Sequence, residues 1–159
     1  PRSSSAASDV YKRQILNHKS FKVDKALSEK LTNAFNLICN EESLDKCSIN
    51  LKLVNNEEIT ELNKIYRNKN KPTNVLSFTN EDISKSRTNE LGDIAISFEF
   101  VEQESKEQNK KFNDHVIHMF IHGIYHILGF DHENDSMADA MEEKEILLLE
   151  KLQIKNPYK

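Results

Sequence analysis

The chain has 159 residues, a length that fits one domain able to bury a core of its own. Its 22 basic against 26 acidic residues give a formal net charge of −4, which excludes a globally basic nucleic-acid binder and leaves any such contact to a local cationic patch. With only 3 glycines and 3 prolines, collagen-like and proline-rich linker classes drop out as well.

The first fourteen residues, PRSSSAASDVYKRQ, have no apolar h-region and so cannot act as a signal peptide. They read as a cloning or sequence-assembly scar (1–14), leaving 15–159 as a single domain. Val23, Leu27, Leu31, Ala34, Phe35 and Ile38 then follow helical spacing, with Asp24 as N-cap. Cys39 and Cys47 match no common zinc motif and are expected to be two reduced cytosolic thiols. Ile49, Leu51 and Leu53 alternate with polar residues as in a half-buried strand. Asn55-Asn56 marks a turn, and Ile59, Leu62, Ile65 and Tyr66 resume the helical period.

Residues 68–74 read as a polar loop holding Pro72, and Val75–Phe78 as a short strand. Glu81–Glu90 reads as a surface loop, Gly92–Phe98 as a further strand, and Phe100–Gln108 as a helix capped by Ser97. Asp114 is expected to cap a longer helix ending near Leu128, where Gly129 is a natural C′ residue. A last helix from about Ser136 to Leu152 carries Met137, Met141, Ile146, Leu149 and Leu152 on its apolar side. Glu142, Glu143, Glu145 and Glu150 are expected on a solvated face. Strands sit among helices without strict β-α alternation, so the expected class is α+β, a small mixed sheet covered by helices. No apolar run reaches the length of a membrane helix, and the expected compartment is the cytoplasm.

Five of the 6 histidines, His115, His118, His122, His126 and His132, fall within eighteen positions. His122 and His126 are four apart, so both rings leave one helix face. Gly129 can take positive φ and turn the chain back, bringing His132 to the same point. Three neutral imidazoles then suit one tetrahedral Zn²⁺ and leave a position open for water, the pattern of a catalytic rather than a structural site. His118, one turn before His122, is a fourth ligand, a substrate contact or a group behind the ligands. His115 reads as a solvated or capping residue off this row, and His18 as isolated. The spacing is shared with zinc peptidases of the HExxHxxGxxH type, but their general-base glutamate is replaced by Gly123.

Lys64, Arg67, Lys69 and Lys71 form a cationic segment with no acid up to Asn80. It is either an ordinary solvated helix end or a phosphate-binding stretch, in which an arginine fork suits developing phosphorane charge better than a lysine.

These motifs, in this order, resemble the YbeY endoribonucleases, bacterial ribosomal RNA maturation factors. The likeness runs from about Leu27 to Tyr158 and is carried by Tyr66–Phe78, Leu91–Ile94, His122–His132, Met141-Glu142 and Asn156–Tyr158. It implies His122, His126 and His132 as zinc ligands, Arg67 as an RNA-phosphate contact, and His118 as the histidine that often precedes the first ligand. It also implies maturation of the small-subunit rRNA 3′ end, ribosome quality control, and single-stranded rRNA and the ribosome or its small subunit as partners. Asp93 matches a family position and is expected to be structural, bracing the metal helix. Phe130 stands where a tyrosine is usual, and Thr79 where a proline often follows the strand. The short strand with which such proteins begin falls on the scar region and is expected to be partly missing. The expected chemistry is zinc-dependent RNA cleavage, with Arg67 and a proton-transferring His118 as catalytic residues, Lys64, Lys69 and Lys71 as RNA contacts, and the general base unassigned. The rival expectation is a non-catalytic ribosome-assembly factor with structural zinc.

Overall fold

The structure, a computed structural model, describes residues 12–79 and 90–159. In chain order the described elements are β1 (Lys12–Asn17), α1 (Lys25–Glu41), β2 (Ser48–Val54), α2 (Asn56–Arg67), β3 (Val75–Thr79), β4 (Glu90–Ser97), α3 (Phe98–Glu107), α4 (Phe112–Ile127) and α5 (Asp135–Lys151). The strands form a mixed sheet in the order β1-β2-β4-β3, with β1, β2 and β4 parallel and β3 antiparallel to β4. The α+β expectation therefore holds.

Strand alternation decides which helix covers which face. Ile49, Leu51 and Leu53 of β2 and Ile94 and Ile96 of β4 point into the main core, with Leu31 and Phe35 of α1, Phe120 and Ile124 of α4 and Leu148 and Leu149 of α5. Val54, Leu76, Phe78 and Ala95 point the other way and meet Ile59 and Leu62 of α2. In α2 the expected apolar face is only half used. Ile59 is buried, but Ile65 is 66% and Tyr66 40% exposed, and the second buried position is Asn63. The Asn63 amide donates to the Lys71 carbonyl (2.9 Å) and so ties down the 68–71 loop.

The helix starts follow the sequence closely. Asp24 accepts from the Leu27 amide, Asn55 from Glu58 and Ser97 from Phe100. The exception is α4. Its N-cap is Lys111, without a side-chain cap, and Asp114 lies in the first turn, where its charge still suits the helix dipole.

Residues 1–11 and 80–89, which hold most of the supposed scar and of the Glu81–Glu90 loop, lie outside the described residues. Lys12–Gln14, however, belong to β1, which pairs with β2 from Lys12↔Ser48 to Asn17↔Leu53. A first strand is therefore present over Lys12–Asn17, reaching into the segment read as scar. KRQ reads as a polar tail because an edge strand needs only one apolar side, supplied here by Ile15. Arg13 lies against α1, its Nη2 3.4 Å from Ser28 Oγ, and burial lowers its pKa. Cys39 and Cys47 are free and buried with their sulfurs 3.0 Å apart, a meeting their spacing did not announce. Burial, and then Cys47, push the Cys39 thiol up. Among the described residues no helix is long and apolar enough to cross a membrane.

β3 and β4 pair at Thr79↔Gly92, where Gly92 has φ +154° and a Cβ would collide with the Phe78 carbonyl. Gly92→Ala is expected to destabilise the protein by about 2–3 kcal/mol, read from urea unfolding midpoints.

Candidate metal centre and active-site cleft

Helix α4 carries four histidines on one stripe, spaced three, four and four residues apart. His115 belongs to this stripe, contrary to the expectation of a solvated position. It is buried, and its Nε2 lies 2.9 Å from Glu104. After Ile127 the helix ends, Gly129 takes φ +102°, and the Phe130 amide donates back to the Tyr125 carbonyl. The Phe130 ring packs edge-on against Tyr125, and Lys144 lies 4.9 Å above it. The turn so pinned returns His132 to the helix. One ring nitrogen from each of His122, His126 and His132 then lies within 4.8 Å of the others.

The hydrogen bonds behind the rings set their tautomers. His122 Nδ1 lies 2.9 Å from Glu145 Oε2, and His126 Nδ1 lies 3.1 Å from the Phe130 carbonyl. Both acceptors call for Nδ1–H, so in the neutral rings both Nε2 atoms carry lone pairs. These two atoms face each other at 3.0 Å. Lone pairs at that separation repel unless a cation lies against both. Two imidazoles on one tetrahedral zinc put their nitrogens ~3.3 Å apart, a few tenths of an ångström from what is seen. Burial, then the neighbouring His122 and His132, lower the His126 pKa, which keeps this ring neutral and able to ligate. The donor set fits a metal ion.

Glu145 is the residue that sequence reasoning missed. It was expected on a solvated face of α5 but is fully buried. Its carboxylate meets His118 Nε2 at 2.6 Å, His122 Nδ1 at 2.9 Å and the Tyr158 hydroxyl at 2.7 Å. Burial alone would raise its pKa, but the hydrogen bonds from His118, His122 and Tyr158 outweigh it and bring the group to about 2. Tyr158 is raised in turn, by burial and then by Glu145. The available signal was the period of α5: Met141, Glu145, Leu148 and Leu149 recur at helical spacing on its buried side.

His118 therefore stands beside the cluster and not in it. It is buried, with its Nε2 turned to Glu145 and its ring centroid 6.4 Å from that of His122. Arg67, from the end of α2, reaches the same cleft as the three clustered histidines, a space of about 450 Å³. Its Nη2 donates to the Ser77 carbonyl (2.8 Å), and its guanidinium lies 5.0 Å from the Phe78 ring centroid. Lys64, Lys69 and Lys71 are exposed and lie outside the cleft lining. On β4, Asp93 accepts from the Asn50 side chain of β2 (2.9 Å).

Fold and cluster together define a small α+β protein whose histidines can hold a metal ion beside an arginine-lined cleft. Residues 14–153 match the family model for endoribonuclease YbeY. Endoribonuclease YbeY of Francisella tularensis subsp. tularensis (strain SCHU S4 / Schu 4) is 46% identical over 135 residues, 80% of this chain and 79% of that protein. Its counterpart from subsp. novicida (strain U112) is 45% identical, covering 80% and 82%. The solution structure of TM1509 from Thermotoga maritima is 28% identical and superposes with a TM-score of 0.60 over 89% of this chain and 91% of that one. The chain belongs to the endoribonuclease YbeY family, whose members are RNA-cleaving hydrolases.

Glu145→Gln keeps the volume but replaces one carboxylate oxygen with an amide NH₂, and Glu145→Ala removes every bond. Both are expected to weaken affinity for a divalent ion by roughly 10–100-fold, measured by competition with a chromophoric chelator.

Proposed function

We propose that this chain is a zinc-dependent, single-strand-specific endoribonuclease that acts in the cytoplasm on ribosomal RNA precursors, at the 3′ end of the small-subunit rRNA, and serves ribosome quality control. The observation that carries the reading is the meeting of the His122 and His126 Nε2 atoms at 3.0 Å in a cleft that Arg67 also lines. His122, His126 and His132 are the residues that would hold the ion. Zinc there would supply Lewis acidity toward a phosphoryl oxygen and make a water more acidic.

The chain's own residues supply the rest. Glu145 and the Phe130 carbonyl hold His122 and His126 in the ligating tautomer. Arg67, steadied on the Ser77 carbonyl, neutralises charge gathering on the phosphate. His118 reaches the site through Glu145, and its part in proton transfer runs along that contact. Lys64, Lys69 and Lys71 attract the RNA backbone from outside the cleft and act within a screening length of about 8 Å at physiological salt. Three side-chain ligand atoms come together among the described residues, and His118, the obvious fourth, is turned to Glu145. That count supports a catalytic zinc over the structural zinc of an assembly factor.

The test combines elemental analysis with cleavage of a single-stranded rRNA fragment. Wild type is expected to hold one zinc and to cut, and to stop cutting when a chelator strips the metal. His122→Ala loses both metal and activity. Arg67→Ala keeps its zinc and loses activity by on the order of 10²–10³-fold. A wild-type protein that holds zinc but never cuts RNA above a nuclease-free control would sink the proposal.

A further inference from the structure

A second cleft, of about 370 Å³, adjoins the first at His122. It shares Asn74 and His122 with the first, whereas His126 and His132 line the first alone, so His122 is where the two recesses meet. The first recess is lined by Arg67, Ser77 and Thr79 and the second by Lys110, His115, His118 and Tyr158.

Two groups in the second recess suit a nucleotide. Tyr158 is 44% exposed, yet its position is set in advance. Its hydroxyl donates to Glu145 (2.7 Å) and lies 3.3 Å from His118 Nε2. Its ring stands edge-on to the His118 ring at 5.4 Å, its amide donates to Asn156 Oδ1 (2.8 Å), and the residue before it is Pro157. A ring fixed before its ligand arrives loses little freedom when a base stacks on it. Lys110 follows Asn109, which has φ 56° and turns the chain out of α3, and the Lys110 amide is anchored on the Ser105 carbonyl (2.8 Å). The one carboxylate lining this recess, Glu104, is engaged by Asn74 (3.0 Å) and His115 (2.9 Å). Both bonds fall on Oε1, so the lysine faces a recess whose one lining carboxylate is held in place by two neighbours.

An enzyme that cuts inside a strand must hold RNA on both sides of the scissile phosphate, whereas one cleft with a closed end would hold a terminus. We propose that the second cleft is a nucleotide subsite for single-stranded RNA. There Tyr158 stacks on a base and Lys110 meets the adjoining phosphate, so that the strand crosses the histidine centre from the Arg67 side to the Lys110 side. This inference rests on the endoribonuclease reading given above.

The test is fluorescence anisotropy of the zinc-loaded protein with a fluorescein-labelled, fully 2′-O-methylated single-stranded RNA 12-mer, together with cleavage of the unmodified strand. Lys110→Ala is expected to weaken binding and to reduce the slope of log affinity against log salt by about 0.7, the value for one phosphate on a single strand. Tyr158→Leu is expected to weaken binding by about 5–100-fold, the loss of one stacked base. Tyr158→Phe keeps the ring but frees it from Glu145, and is expected to bind more weakly than wild type and more tightly than Tyr158→Leu. If Lys110→Ala and Tyr158→Leu both bind like wild type while Arg67→Ala binds weakly, the subsite is refuted and the first cleft alone holds RNA. If Tyr158→Phe is as weak as Tyr158→Leu, the tyrosine works through Glu145, and the stacking role is overturned. A wild-type protein that neither binds nor cuts overturns the endoribonuclease reading itself.

Discussion

The buried carboxylate of Glu145 is the contact on which the centre depends. It lies on α5, yet its three partners come from elsewhere: His118 and His122 from α4, and Tyr158 from the C-terminal segment. An ionised carboxylate with no exposure is costly unless each lone pair is met, and removing a partner from such a group typically costs about 3–5 kcal/mol. The same bonds that satisfy Glu145 decide which nitrogen of His122 bears its proton. Docking α5 on α4 and preparing a ligand atom are therefore one event. The Phe130 carbonyl does for His126 what Glu145 does for His122, so that a turn and a helix each fix one ring.

Gly123 explains why the centre lacks the glutamate of the zinc peptidases that share its histidine spacing. A Cβ at this position would lie 3.0 Å from Ser77 Oγ and 3.2 Å from Ile94 Cδ1. The position faces the sheet, and Ser77 Oγ donates to the Gly123 carbonyl across that contact (3.1 Å). The close approach of α4 to β3 brings the histidines to the strand whose Ser77 carbonyl steadies Arg67. A longer side chain at 123 would have to displace Ser77 Oγ and the Ile94 side chain, which face it. Packing here excludes one chemistry and assembles another.

Charge follows the same division of labour. A net charge of −4 forbids a broad basic surface, and the acids that could spoil the clefts are mostly committed. Glu145 is surrounded by its three donors, and Glu104 is engaged by Asn74 and His115. Arg67 lines one cleft and Lys110 the other, and His122 lines both.

The sequence by itself determined what depends on short range. Helical period, strand alternation, the caps at Asp24 and Ser97 and the turn at Gly129 are local, and the spacing of His122, His126 and His132 forces them together once α4 and that turn form. Family membership was equally legible, because several motifs stood in the right order. What only the tertiary structure decided is which polar residues are paired across elements. Glu145 looked like one more acid among Glu142, Glu143 and Glu150, and nothing along α5 says that histidines of α4 will meet it. His115 is buried because Glu104 of α3 arrives beside it, and His118 is turned from ligand to partner of Glu145 for the same reason. β1 was obscured because the polar residues of an edge strand resemble a tail until β2 pairs with them. A buried charge is recognised by its partners, and partners brought from distant segments leave no period in the chain.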